Sequence, residues 1–149
     1  PTSASVSKAV REWNSQSGKG RRLMEKNWSP SLKKRLMAYA EGDTVEFDDF
    51  ELELPERTAF RDRVLSATRQ IGYGSTTTYG ELARRVGHPG AARAVGTVMS
   101  TNRFPILIPC HRVLAAGGRL GGYTAPAGTD LKQRLLDMEQ HHRSVPLQK

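Results

Sequence analysis

Cys110 is the only cysteine in the chain, and His111 stands directly beside it. Both lie in Pro105-Ile106-Leu107-Ile108-Pro109-Cys110-His111-Arg112-Val113, where prolines bracket a short apolar run. A thiol is a strong nucleophile once it becomes thiolate, so this pairing is the first place to look for chemistry. The run predicts a short β-like segment that stops pairing where proline removes the amide donor, presenting the sulfur at its end. A lone buried cysteine acting as a small apolar residue fits the same pattern. Adjacent strand side chains diverge, so His111 would act on the thiol through one bound water. A base of this kind needs a third group to orient it. Glu139 is the best acidic candidate, because no acid lies between Leu82 and Thr129 and Asp130 opens the last helix. Glu139 as an ordinary surface residue is the competing reading.

The surroundings of the cysteine are basic. The net charge is +8, and residues 1–54 contribute nothing to it, with nine basic and nine acidic side chains. Between Leu82 and Thr129 the only formal charges are Arg84, Arg85, Arg93, Arg103, Arg112 and Arg119. Arginine without lysine or carboxylate favours a phosphate or polyanion partner, although a solvated basic face has the same composition. No run of 18 apolar residues exists and no charged-then-apolar leader is visible, so neither a membrane span nor secretion is expected. One cysteine makes no internal disulfide and no zinc site, and no metal or cofactor is expected. A free thiol fits a reducing, intracellular setting: cytoplasm, or nucleus in a eukaryote.

The elements that must position these groups follow from local signals. Ser29 and Pro30 open a helix whose Leu32, Leu36 and Tyr39 share a face, and Gly42 ends it. Residues 47–54 predict a short strand or extended link, with a domain boundary near Pro55. The expected organisation is 1–54 as an N-terminal domain and linker, and 55–149 as the second domain, with 140–149 as a tail. Thr58 to Thr68 is helical, burying Phe60, Val64, Leu65 and Ala67. Thr78-Tyr79-Gly80-Glu81 fits a capping box, so a helix runs from Tyr79 to Val86 with Leu82, Ala83 and Val86 inward. Gly87-His88-Pro89-Gly90 breaks it. A second helix covers Ala91–Ser100 with Val95, Val98 and Met99 inward. A glycine-rich loop spans Leu114–Tyr123, and a last helix runs from about Thr129 to Glu139, with Leu131, Leu135, Leu136 and Met138 as its apolar positions.

The two helices around Gly87–Gly90 form a helix-turn-helix candidate. The second offers Ala91, Ala92, Arg93, Ala94 and Gly96, almost nothing that reads bases by hydrogen bonds in the major groove. A small face allows close backbone approach and suits the minor groove without sequence choice, while Arg93 could enter the base stack. A tight helix–helix contact also explains the alanines.

These motifs resemble the O6-alkylguanine-DNA alkyltransferases, the methylated-DNA–protein-cysteine methyltransferase family. The resemblance rests on Pro109-Cys110-His111-Arg112-Val113 preceded by Asn102 and Pro105-Ile106-Leu107-Ile108, and on Tyr79-Gly80-Glu81-Leu82-Ala83. Gly90 to Gly96, Gly121-Gly122-Tyr123, Lys132 and Leu135-Leu136-x-x-Glu139 complete it, so that it covers about Ala59 to Glu139. It implies a mixed α/β chain: a mainly helical C-terminal domain with a helix-turn-helix and short strands, plus a reduced or truncated N-terminal domain.

The resemblance also implies a single-turnover transfer, from O6 of a flipped guanine in duplex DNA to Cys110. Flipping is needed because the stacked base cannot reach a buried sulfur. His111 would deprotonate Cys110 through water and Glu139 would hold the imidazole. Asn102 would brace the active-site turn, and Tyr79 would help rotate the nucleotide and protonate the leaving guanine. Arg93 would fill the gap in the duplex, with Thr78, Ala91, Ala92, Ala94 and Gly96 against DNA. Main-chain groups of Cys110 and Val113 would read the base edge, and Pro105, Tyr123 and Thr124 would wall the pocket. The implied partner is duplex DNA carrying O6-alkylguanine, with O4-alkylthymine as a further substrate left open, bound by a monomer without cofactor. The chain departs from the family at Tyr123-Thr124-Ala125-Pro126-Ala127-Gly128, where Ser-Gly or Gly-Gly usually follows the tyrosine. Its Cys-to-Glu spacing is also about two residues longer.

Two other classes remain open at this level. An alkyltransferase-like sensor would flip damaged bases without chemistry, but such proteins usually lack the acceptor cysteine. A helix-turn-helix regulator with a structural cysteine would show sequence preference and indifference to Cys110→Ser.

Overall fold

The computed structural model describes residues 29–54, 58–123 and 128–143. The chain divides into two compact units, Pro1–Val45 and Glu46–Lys149. In the first, helix α1 (Pro30–Ala40) starts as its sequence predicts: Ser29 Oγ accepts from the Leu32 amide at 3.2 Å, and proline fills the first turn. Tyr39 is its buried residue, and Gly42 at φ 98° closes the end.

The division falls before Glu46, ahead of the boundary expected at Pro55. Its reason is Arg69, whose Nη2 donates to the carbonyls of Phe47, Asp48 and Phe50 at 2.8, 2.9 and 3.0 Å. Phe47 is buried, and Leu52 and Leu54 pack on the core of the second unit. This segment is an extended link with a turn at 48–50 and not a strand.

Arg69 closes helix α2 (Ala59–Arg69), which Thr58 caps through the Arg61 amide at 3.2 Å. Strand β1 (Thr77–Thr78) leads into α3 (Tyr79–Arg85). The expected capping box is present: Glu81 N donates to Thr78 Oγ1 at 3.1 Å and Thr78 N to Glu81 Oε2 at 2.8 Å. After the turn comes α4 (Ala92–Ser100). Gly87 and Gly90 take φ 80° and 87°, and His88 between them is held by α2. Its Nε2 lies 2.8 Å from Arg63 Nη2, and its ring meets Phe60 edge-on at 5.1 Å. Burying Leu82, Ala83, Val86, Val95, Val98 and Met99 against Val64 and Leu65 forms the core between α2, α3 and α4. Phe60, expected with them, is only partly buried at its edge.

The apolar run before Cys110 is not a strand. Between two prolines only three residues keep amide donors, too few for a ladder. Ile106 turns into the left-handed region at φ 75°, and Pro105 and Ile108 form one isolated bridge. Cys110–Arg112 then make a single 3-10 turn, with the Arg112 amide donating to Pro109 O at 2.9 Å. The true strand is β2 (Val113–Leu114), parallel to β1, with Thr77 opposite Val113 and Thr78 opposite Leu114. A second 3-10 turn (Ala116–Gly118) interrupts the glycine-rich loop.

Helix α5 (Gly128–Arg143) runs past the end expected at Glu139, so the first residues of the expected 140–149 tail are helical. Neither glycine nor proline occurs before Pro146 to stop it. Its buried stripe is Lys132, Leu136 and Glu139, so two charged side chains share the buried face with one of the four expected apolar positions. Leu131, Leu135 and Met138 are only partly buried. The fold is mixed α/β, five helices and a two-stranded sheet among the described residues. None of its described helices is long and apolar enough to cross a membrane.

Candidate active site

The turn that begins at Pro109 carries Cys110 into the core, where it keeps 7% exposure. Asn102 sets its position from the end of α4. Its Nδ2 donates to Ile108 O at 3.0 Å and to Cys110 Sγ at 3.2 Å, while its Oδ1 accepts from Phe104 N at 3.0 Å. Burial pushes the thiol pKa up, opposed by the Asn102 hydrogen bond, the Lys132 charge and the nearby Tyr123 hydroxyl. That hydroxyl is buried beside the sulfur without a hydrogen bond of ordinary geometry among the described residues. Burial, and then the neighbouring sulfur, raise the pKa of both Tyr79 and Tyr123, so both phenols keep their protons.

Behind the thiol lies a buried charge cluster. His111 Nε2 stands 2.9 Å from Glu139 Oε1, and neither side chain is exposed. Arg112 grips the same carboxylate with Nε at 2.9 Å from Oε2 and Nη2 at 2.8 Å from Oε1. The Gly74 amide donates to Oε2 at 3.0 Å. Burial lowers the His111 pKa, aided by Arg112 and Lys132 and opposed by Glu139. Lys132, also fully buried, donates to Val113 O at 2.7 Å and Leu120 O at 2.5 Å, and sits 5.8 Å from the centre of the Tyr79 ring. Burial lowers its pKa, and the Cys110 sulfur opposes the shift.

Arg112 corrects one expectation: it is buried on Glu139 and is not a phosphate-facing member of the arginine set. Neither its role nor that of Lys132 was readable from spacing alone. The available signal was the i, i+4, i+7 stripe of Lys132, Leu136 and Glu139.

Above the sulfur opens a cleft of about 540 Å³. Thr78, Tyr79, Ala92, Arg93, Gly96 and Tyr123 line it together with Cys110, which brings seven of the expected residues to one place. Gly121 takes φ 65° where an added Cβ would stand 3.2 Å from Tyr79 Cε2, so this edge passes close under the ring. Ala91, Ala94, Pro105 and Val113 are not in the cleft lining. Val113 is fully buried in β2, while Ala94 and Pro105 are exposed elsewhere. Thr124, Ala125 and Pro126 lie outside the described residues. Among the described residues no cluster of three or more His, Cys, Asp or Glu could hold a metal ion.

Residues 59–141 match the model of the 6-O-methylguanine DNA methyltransferase DNA-binding domain. The chain is 46% identical, over 76% of its length, to the methylated-DNA–protein-cysteine methyltransferase of Mycolicibacterium paratuberculosis. The protein of that name from Methanosarcina acetivorans is 44% identical over 71%. The chain spans just under two thirds of the length of these relatives, 66% and 65%. The crystal structure of Mycobacterium tuberculosis OGT in complex with DNA is similar with a TM-score of 0.68 and 44% identity, covering 74% of this chain and 66% of that one.

Proposed function

We propose a function from one premise: the chain belongs to the 6-O-methylguanine DNA methyltransferase family. It repairs DNA by direct reversal, moving the alkyl group from O6 of a flipped guanine in duplex DNA to Cys110, once per molecule. The observation that carries this reading is the placement of the single thiol at the base of a cleft walled by the helix-turn-helix, with the His111–Glu139 pair behind it.

Burial keeps the resting thiol protonated, so attack needs a base. Nε2 of His111 is engaged by Glu139, and the proton leaves the sulfur through a water to Nδ1. The sulfur then forms a bond to the alkyl carbon as the bond from that carbon to O6 breaks. The guanine departs with the electron pair and takes a proton from the Tyr79 side of the cleft. Main-chain groups around Cys110 and Val113 read the base edge, and Tyr123 closes the pocket. Arg93, exposed at the cleft, enters the duplex in place of the extruded nucleotide, and the small residues of α4 let its backbone approach the minor groove. The thioether offers no route back to thiol, so Cys110 is consumed.

Incubation with a duplex carrying O6-methylguanine, followed by intact mass and peptide mapping, tests this. A gain of one methylene at Cys110 is expected. Tight binding that leaves the protein unmodified would identify a damage sensor and sink the reading.

A further inference from the structure

A carboxylate 2.9 Å from an imidazole ordinarily holds a proton on the ring, because the ion pair favours the charged form. An imidazole that is already protonated cannot accept a proton from a thiol. What separates this site from a simple pair is the guanidinium on the other side of the same carboxylate. Arg112 Nη2 lies 2.8 Å from the oxygen that faces His111, and Arg112 Nε spans both oxygens at 2.9 and 3.2 Å. Burial is the largest influence against protonation, and the Arg112 charge adds to it by offsetting part of the attraction that Glu139 exerts on a ring proton. Among the described residues, the charge of Lys132 on α5 also opposes protonation of His111. Burial acts in the same direction, since His111 has no exposed surface.

The same guanidinium has a second set of contacts. Its Nη1 donates to Ile71 O at 2.6 Å, and its centre stands 5.8 Å from the Tyr73 ring. Glu139 holds the Gly74 amide in turn. The turn at 71–74 is therefore fastened at both ends to the ion pair. From this turn the chain enters β1 and then Tyr79, while Arg112 itself follows Cys110 by two residues. One side chain thus ties the segment that carries the phenol to the segment that carries the thiol.

We propose that Arg112 is a positioning residue of the transfer reaction: it offsets part of the field of Glu139 at His111, so that the buried imidazole rests neutral as a base, and it fixes the turn that delivers Tyr79 to the cleft. Its part in transfer rests on the function proposed above; its part in the charge state of His111 stands apart from DNA.

The test therefore reads His111 and Cys110 directly. Histidine-labelled protein is titrated by NMR, and the rate of Cys110 alkylation by iodoacetamide is followed against pH, in the wild type and three variants. Arg112→Gln should raise the His111 titration by about one unit, a tenfold gain in proton affinity, and move the acidic limb of the iodoacetamide profile upward with it. Arg112→Lys keeps the charge and loses the fork, so His111 should titrate within about half a unit of wild type while single-turnover methyl transfer slows about tenfold. The double variant Arg112→Gln/Glu139→Gln replaces a neutral pair of charges by a neutral pair of amides. It should leave His111 within about half a unit of wild type, and it remains informative if Arg112→Gln alone does not fold.

An unchanged His111 titration in folded Arg112→Gln, or a fall of a full unit in the double variant, would overturn the proposal. Wild-type protein that takes no methyl group from DNA would overturn the proposed function, whereas the two DNA-free measurements still decide the role of Arg112.

Discussion

Replacing Asn102 by alanine removes, at one stroke, the contacts that join the end of α4 to the cysteine turn. Two of them are to main chain, Ile108 O at 3.0 Å and the Phe104 amide at 3.0 Å, and the third is to Cys110 Sγ at 3.2 Å. A net contribution of about 1 kcal/mol for each main-chain bond gives a loss of about 2 kcal/mol. In a unit of this size that lowers Tm by roughly 10 °C. The third bond favours the thiolate, and its loss should raise the thiol pKa by about one unit, cutting thiolate-dependent reactivity near neutrality roughly tenfold. Scanning fluorimetry reads the first effect and iodoacetamide rates against pH read the second. Asn102→Asp is the informative companion, because it keeps an acceptor for Phe104 N, loses the donor to sulfur and adds a negative charge. Its thiol should titrate above that of Asn102→Ala. A folded Asn102→Ala protein with wild-type melting and a wild-type thiol titration would refute the geometry on which this rests.

Three other outcomes follow from the same site. Arg93→Ala truncates an exposed side chain, so stability should change by less than about 0.5 kcal/mol while methyl transfer from duplex DNA drops at least roughly tenfold; equal losses in melting and transfer would count against the role in the duplex. Gly121→Ala places a Cβ at positive φ and 3.2 Å from the Tyr79 ring, which should cost about 1–2 kcal/mol in a denaturant titration and slow transfer; wild-type behaviour in both would show that the ring is not confined there. The folded His111 pKa lies below its unfolded value, so the unfolded chain binds the extra proton: the contribution to stability is whole above about pH 6.5 and is lost as pH falls from there toward the folded pKa. Urea midpoints measured from about pH 7.5 down to pH 5 should therefore decline more in wild type than in His111→Gln; parallel curves would refute it.

Much of this molecule is written in short stretches of chain. The Ser29 and Thr58 caps, the Thr78–Glu81 box and the Gly87–Gly90 turn each involve residues within a few positions of one another. The sequence therefore determined the ends of α1, α2 and α3 almost to the residue. The inward positions of α3 and α4 followed from helical period, and Cys110, His111 and Glu139 stood out by type because few reactive or acidic groups compete with them.

Only the tertiary structure decided what the charges do. Six arginines are equivalent in the sequence around the cysteine, and Arg112 alone among them is buried on a carboxylate, 27 residues away, and on a carbonyl 41 residues away. Lys132 looks like a surface residue until Val113 O and Leu120 O converge on it. The apolar run before Cys110 has the composition of a strand, yet its prolines and the conformation of Ile106 make it a turn, and the real pairing joins Thr77 to Val113. A cap is closed by neighbours in the chain, whereas a buried charge is tolerable only where distant segments bring its partners, and that meeting exists only in the folded protein.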